Sequence, residues 1–368
     1  MSVVAPAPAE SVTDSPPPVR APDRRRAALG MAAFGGIALV AFVLAIAVGS
    51  VWIPPSDVVS ILFGGTSEQT GWEAIVRDIR LPRSITASLC GAGLAVAGVQ
   101  MQTLFRNPLA GPYVLGISSG ASFGVALVVL TAGASGTTGF LAGLGAFGDL
   151  GIAVAAAAGS AIVLSLVLLV SRRVESIATV LIVGLMFGQV VLAMTTVLIA
   201  GAEPERIQAY LVWSFGSFRG VSWDELWILA PVVVAAGGAV WFTAKHLNAM
   251  LLGERYAESL GVDVRRIRRI TVILSALLAG VVTAFAGPIA FIGVAVPHLA
   301  RATLGTVDHR YLLPASALGG AAMALVAEIG AQLPGRAGVL PLNAVTALIG
   351  APVVIWVVVR NTRATAGF

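Results

Sequence analysis

Apolar runs long enough to cross a lipid bilayer recur along almost the whole chain. They lie at 27–51, 84–104, 113–133, 149–170, 177–201, 226–244, 271–286, 288–300, 312–333 and 340–359. A helix needs about 20 apolar residues to cross a hydrocarbon core of about 30 Å, and most of the runs are close to that length. Lipid offers no hydrogen bonds to a backbone, so each run must satisfy its own amides and carbonyls as a helix. The pattern predicts an all-α polytopic membrane protein. Composition agrees, with 57% hydrophobic residues, 11% charged residues and a mean hydropathy of +0.92; a soluble domain carries about 25% charged residues. The 42 glycines suit helices that pack closely without a hydrophobic drive.

Charge decides how many times the chain crosses. The seventh and eighth runs are short and could merge into one span, but Gly287-Pro288 between them is a strong helix breaker. With ten spans and an inside N-terminus, seventeen of the 23 basic residues fall inside: Arg20, Arg24, Arg25, Arg26, Arg106, Arg172, Arg173, Lys245, Arg255, Arg265, Arg266, Arg268, Arg269, Arg301, Arg310, Arg360 and Arg363. Arg77, Arg80, Arg83, Arg206, Arg219 and Arg336 stay outside. Merging the two runs weakens the split to fourteen against nine. The positive-inside rule therefore predicts ten transmembrane helices with both termini cytoplasmic. Residues 1–26, rich in Pro, Ala and Ser, read as a disordered cytoplasmic tail, 27–360 as the transmembrane domain and 361–368 as a second tail. The run after Arg26 is too long for a signal-peptide core, so it reads as a retained first span.

Little in the sequence offers chemistry. Cys90 is the single cysteine, in an apolar run, and reads as a small core residue. His246, His298 and His309 lack metal-ligand spacing. The phosphate-binding pattern GxxxxGK[ST] is absent, and the only lysine, Lys245, lies in TAKHL. Any ATP hydrolysis must then come from another chain, and no cofactor is expected on this one.

Three segments carry candidate function. Residues 245–270 form the longest inside loop, KHLNAMLLGERYAESLGVDVRRIRRI. Leu252, Tyr256 and Leu260 recur there at helical spacing, with Glu254 and Glu258 on another face. Gly261 suits the position just past a helix end, and Asp263 could cap the next helix. The stripe fits either a helix lying on the lipid surface or a docking helix for a soluble partner. Outside, RDIRLPR gathers Arg77, Asp78, Arg80 and Arg83 where arginine is disfavoured. Recognition of an acidic external partner is one reason for it, and internal pairing with Asp78 or Glu73 is the other. Glu328 lies well inside the ninth run and is an intramembrane candidate. Toward the outer end of its span it could instead pair with an Arg or the backbone. Asn107-Pro108, Gly111-Pro112 and Gly350-Ala351-Pro352 read as breaks or kinks.

The runs RLPR (80–83), GAGLAVAGVQMQTLFRNPLAGPYVLG (91–116), LLGERYAESLGV (251–262), GPIAFIGVAVPHLAR (287–301), DHRYLLPASAL (308–318) and TALIGAPVVIW (346–356) resemble, in order, the FecCD-type permease family, over about 30–360. That family imports iron–siderophores, heme and vitamin B12. The resemblance implies an ABC importer permease of the vitamin B12/iron–siderophore type, in the bacterial inner membrane. It implies a second permease subunit, identical or not, around a central pathway. Two cytoplasmic ATPases carrying ATP and Mg, and an external substrate-binding protein, would complete the machine. Lipid is the remaining partner, and no nucleic acid is expected. By the resemblance Leu252, Gly253, Glu254, Ala257, Leu260 and Gly261 lie in the ATPase-docking loop, and Arg80 and Arg83 match arginines that meet the binding protein. Asn107, Pro108, His298, Arg301 and Asp308 match inner-side motifs with a structural role. Two departures stand out. Gln332 replaces an Arg found in some members, with Arg336 nearby as a substitute, and the LPxG motif reads Leu340-Pro341-Leu342-Asn343. An Asp is usual where Glu328 stands. The rival classes are an ion-coupled secondary transporter, which needs buried ionisable groups and is offered only Glu328, and a membrane enzyme, for which HExxH and a metal-ligand cluster are absent.

Overall fold

A computed structural model describes residues 23–67, 69, 71–131, 148–171, 173–174, 176–332 and 340–365. The described residues are organised by thirteen α-helices: α1 (Arg24–Ala47), α2 (Pro55–Leu62), α3 (Trp72–Phe105), α4 (Ile117–Val129), α5 (Gly148–Ser171), α6 (Ile177–Ala200), α7 (Pro204–Ser214), α8 (Trp223–Leu251), α9 (Glu254–Ser259), α10 (Val264–Ala286), α11 (Ile292–Leu304), α12 (His309–Ala331) and α13 (Leu342–Thr365). Seven of them (α1, α3, α5, α6, α8, α10 and α12) are long and apolar enough to cross a membrane. The three further crossings expected from sequence correspond to α4, α11 and α13. The first two have 13 residues each, and the apolar part of α13 ends at Trp356. Length and composition thus account for seven crossings rather than ten.

Helix α3 is the hub, packed on α8, α10, α11 and α12. Its contacts are backbone-close where glycine allows it. A Cβ on Gly91 would lie 2.1 Å from the Gly320 carbonyl oxygen of α12, and one on Gly98 would lie 1.8 Å from that of Gly293 in α11. Without side chains at these crossings, van der Waals contact replaces the missing hydrophobic drive between helices in lipid.

Several boundaries differ from the sequence reading. Helix α3 begins at Trp72, well before the expected start at 84, and it passes through Pro82. A π-helical turn at Ile75–Arg80 precedes that proline. The wider turn relieves the clash a proline ring makes with the carbonyl four residues back. Arg24–Arg26 are not tail: Asp23 caps α1, and Arg26 donates to the Thr303 and Ala302 carbonyls, each at 3.0 Å. The rest of the tail, 1–22, lies outside the described residues. The last helix continues to Thr365, past the expected boundary at 360 and through Pro352.

The break at Gly287-Pro288 is as expected. Helix α10 stops at Ala286 and α11 starts at Ile292. Asn343 holds the intervening strand of chain. Its Nδ2 donates to the Pro288 carbonyl at 2.6 Å and its Oδ1 accepts from the Ala290 amide at 2.9 Å. The same Nδ2 reaches the Ser214 carbonyl at 3.3 Å. The departure from LPxG at this position therefore has a local reason: the side chain satisfies backbone groups that the broken helix leaves without partners.

Candidate functional site

The bundle has an arginine-rich end. It gathers the start of α1, the ends of α3, α5, α8 and α11, and the starts of α10 and α12. The long inside loop expected at 245–270 is mostly helix: α8 runs on to Leu251 and α10 begins at Val264, leaving only α9 and its two turns between them. Gly253 opens α9 at a φ of +117° and Gly261 follows it at +81°, conformations that disfavour any other residue. Gly261 donates to the Glu258 carbonyl at 2.9 Å and Val262 to that of Ala257 at 3.1 Å, a Schellman ending. Asp263 caps α10 by accepting from the Arg266 amide at 2.9 Å.

This segment leaves large apolar side chains in the open. Leu252 is 65% exposed, Tyr256 52% and Leu260 58%. Two of the expected docking residues are used differently. Ala257 is fully buried, packing α9 onto the bundle. Glu254 is held by Arg268 of α10 at 2.9 Å, which fixes the orientation of α9.

Behind the segment lies a polar network that the sequence did not reveal. Asn248, near the end of α8, donates to Asp308 at 2.7 Å and accepts from the His309 amide at 2.9 Å. The His309 ring meets Asn248 Oδ1 at 2.7 Å and Thr103 of α3 at 2.8 Å. Arg301 donates to Gln102, and Arg106 reaches the Met250 carbonyl at 3.4 Å. The motif residues Arg301 and Asp308 take part in this network, and the His298 ring lies 3.5 Å from Gln102. They tie the end of α8, where the exposed segment begins, to α3, α11 and α12.

The opposite end holds the outer candidates, and here the structure corrects the sequence reading. Arg80 and Arg83 are 4% and 7% exposed. Arg80 donates to the carbonyls of Ile46, Ala47 and Val51 at 2.7, 2.9 and 2.6 Å, closing the C-terminal end of α1. Arg83 pairs with Glu328 at 3.0 Å. Gln332 donates to the same carboxylate at 2.7 Å. So Glu328 is an internal partner, as one of its two readings held, and Gln332 serves that carboxylate. Neither guanidinium faces outward. Arg77 and Arg219 are the exposed arginines nearby. Arg336 lies outside the described residues.

Comparison with known proteins now bears on this geometry. The sequence model of the FecCD transport family matches residues 37–360. The chain belongs to the FecCD transport family. The vitamin B12 import system permease protein BtuC of Salmonella typhi is 34% identical over 329 residues, covering 89% of this chain and 94% of the relative. The same protein of Salmonella newport gives the same identity and coverage. A solved inward-facing ABC transporter, assigned to the metal-chelate type, superposes with a TM-score of 0.77 at 26% identity, covering 90% of this chain and 98% of that one. This FecCD chain is accordingly a membrane-spanning permease subunit of an ABC importer.

Proposed function

We propose that this permease forms one half of the pathway of an ATP-driven importer for an iron–siderophore-type ligand, delivered by an external binding protein. One observation carries the energy-coupling part. Leu252, Tyr256 and Leu260 are exposed on a rigidly turned segment that is braced by Arg268 and linked through Asn248 to the core helices. Such a stripe suits insertion into a groove on a soluble ATPase, which supplies ATP and Mg. The chain crosses the membrane ten times with both termini cytoplasmic. The break at 287–291 and the bias of arginine toward one end support that count. A second permease subunit completes the pathway. The binding protein meets the outer end through Arg77 and Arg219, with Arg336, while Arg80 and Arg83 hold that surface from within.

The metal-chelate type of the superposed transporter favours a ferric siderophore. The identity with vitamin B12 permeases favours a second reading, a cobalamin. Proteoliposomes holding the permease, its ATPase and its binding protein distinguish them. We expect uptake of radiolabelled ferric siderophore that excess cyanocobalamin leaves unchanged. Uptake of cobalamin alone would replace the first reading with the second.

A further inference from the structure

The arginine-rich end holds a polar cup of about 440 Å³ between α3, α8, α11 and α12. Gln102, Thr103, His298 and His309 line it and are buried. Arg301 of α11 and Arg106, just past the end of α3, also line it. Among the described residues no carboxylate lines the cup, and none pairs with either arginine. Asp308, next to His309, is engaged elsewhere: it accepts from Asn248 Nδ2 at 2.7 Å and from the Arg310 amide at 2.9 Å. Among the described residues, the partners of the Arg301 guanidinium are the side-chain oxygen of Gln102 and the His298 ring. A half-buried guanidinium served only by such groups lacks the opposite charge that usually accompanies it.

Hydrogen-bond roles select the occupant. His298 Nδ1 is 2.9 Å from the Val294 carbonyl oxygen, so that nitrogen carries a hydrogen and donates. Arg301 Nη2 lies 3.3 Å from the same nitrogen, one donor against another. Gln102 Nε2 also turns to the Val294 carbonyl, at 3.3 Å. The cup therefore gathers donors and lacks an anionic acceptor. Arg106 adds a second fork, carried at a backbone φ of +47° that favours glycine or asparagine. Two guanidinium forks on one polar cup suit an ion with several acceptor oxygens around one centre. A cation is repelled there, a halide offers a single acceptor centre, and an acyl chain gains nothing from the buried polar lining.

We propose that this cup binds a phosphate group, held as a tetrahedral oxyanion between Arg301 and Arg106. Inorganic phosphate and a phospholipid headgroup both present that chemistry. The site also touches the 252–261 segment. Arg106 Nη2 lies 3.4 Å from the Met250 carbonyl, and a Cβ on Gly253 would be 4.0 Å from the same nitrogen. A bound phosphate group thus links α11 to the turn that opens α9. Phosphate binding is a property of the permease alone, whereas any effect on ATPase docking rests on the role given to that segment.

Equilibrium dialysis of delipidated full-length permease against radiolabelled inorganic phosphate tests this, with ionic strength held constant by chloride. Saturable binding at a single site is expected. Arg301→Gln and Arg106→Gln should each weaken it roughly tenfold or more, and Arg301→Lys should restore part of the loss. Arg106 is exposed, so Arg106→Gln keeps the test decisive should Arg301→Gln fail to fold. Arg310→Gln, at an exposed arginine of the same end but outside the cup, should leave binding unchanged. Displacement of the label by dilute phosphatidylglycerol supports the site with a lipid headgroup as its source, and persistence of the label supports the free ion. Binding that both Gln variants leave intact marks an adventitious ion only and overturns the proposal. Absence of saturable binding overturns it too. If the two variants then also lose the ATPase on co-purification, the cup receives a carboxylate of that partner instead.

Discussion

Leu260→Asp is expected to release the ATPase from the purified complex and to abolish uptake, while the permease still inserts and folds. The side chain is 58% exposed in the isolated chain, so its loss removes little from the fold. Burying a leucine in a partner's groove is worth roughly 1.5–3 kcal/mol, and an aspartate there adds the cost of a desolvated charge. Docking should weaken at least tenfold. Ala257→Asp is the contrasting variant. Ala257 is fully buried beneath α9, so that change should disturb the permease itself. Co-purification of the ATPase, with ligand-stimulated ATP hydrolysis, reads the outcome. A surface helix lying on lipid predicts an intact complex for Leu260→Asp. Wild-type recovery and stimulation would decide in its favour.

Breaking the buried pair at the other end should have the largest effect on stability. Arg83 and Glu328 have side-chain exposures of 8% and 5%, and Gln332 donates to the same carboxylate. Removing one partner leaves a buried charge without compensation, which typically costs about 3–5 kcal/mol. Glu328→Ala and Arg83→Leu should each lower the unfolding temperature in detergent and the yield of monodisperse protein. The double variant Arg83→Leu, Glu328→Leu should recover most of the loss, because two apolar groups of similar size need no partner. Single variants as stable as the parent would contradict the ion pair. The same experiment separates internal from external roles. Charge reversal at the exposed Arg77 and Arg219 should weaken association with the binding protein in a salt-dependent way and lower stability far less than the Arg83 and Glu328 variants, although Arg77 also donates to the Ile61 carbonyl at 3.0 Å.

Local chemistry in the sequence predicted local structure well. Gly261 ends α9, Asp263 caps α10, and Gly287-Pro288 separates two helices, because each of these acts over a few residues of backbone. The exposed stripe of Leu252, Tyr256 and Leu260 was legible for the same reason. The arginines were not. RDIRLPR carries no sign that Arg80 would close α1 or that Arg83 would meet Glu328, since both partners come from distant parts of the chain. The inner network was hidden likewise: Gln102 and His298 are 196 positions apart, and Thr103 and His309 are 206. Histidines without metal spacing look inert in a sequence, yet His309 joins Thr103 of α3 to Asn248 near the end of α8. Helix lengths were blurred for a further reason. Hydropathy registers the apolar stretch of a helix, whereas α3, α8 and α13 continue beyond the apolar runs of the sequence.

The central claim is that this FecCD permease moves its ligand with energy from a separate ATPase docked on the 252–261 segment. Ligand uptake into proteoliposomes that hold the permease, the ATPase and the binding protein tests it most directly. Uptake should require ATP, should persist when ionophores collapse every ion gradient, and should stop with Leu260→Asp. Uptake by the permease alone, driven by a proton or sodium gradient and indifferent to ATP, would contradict the account.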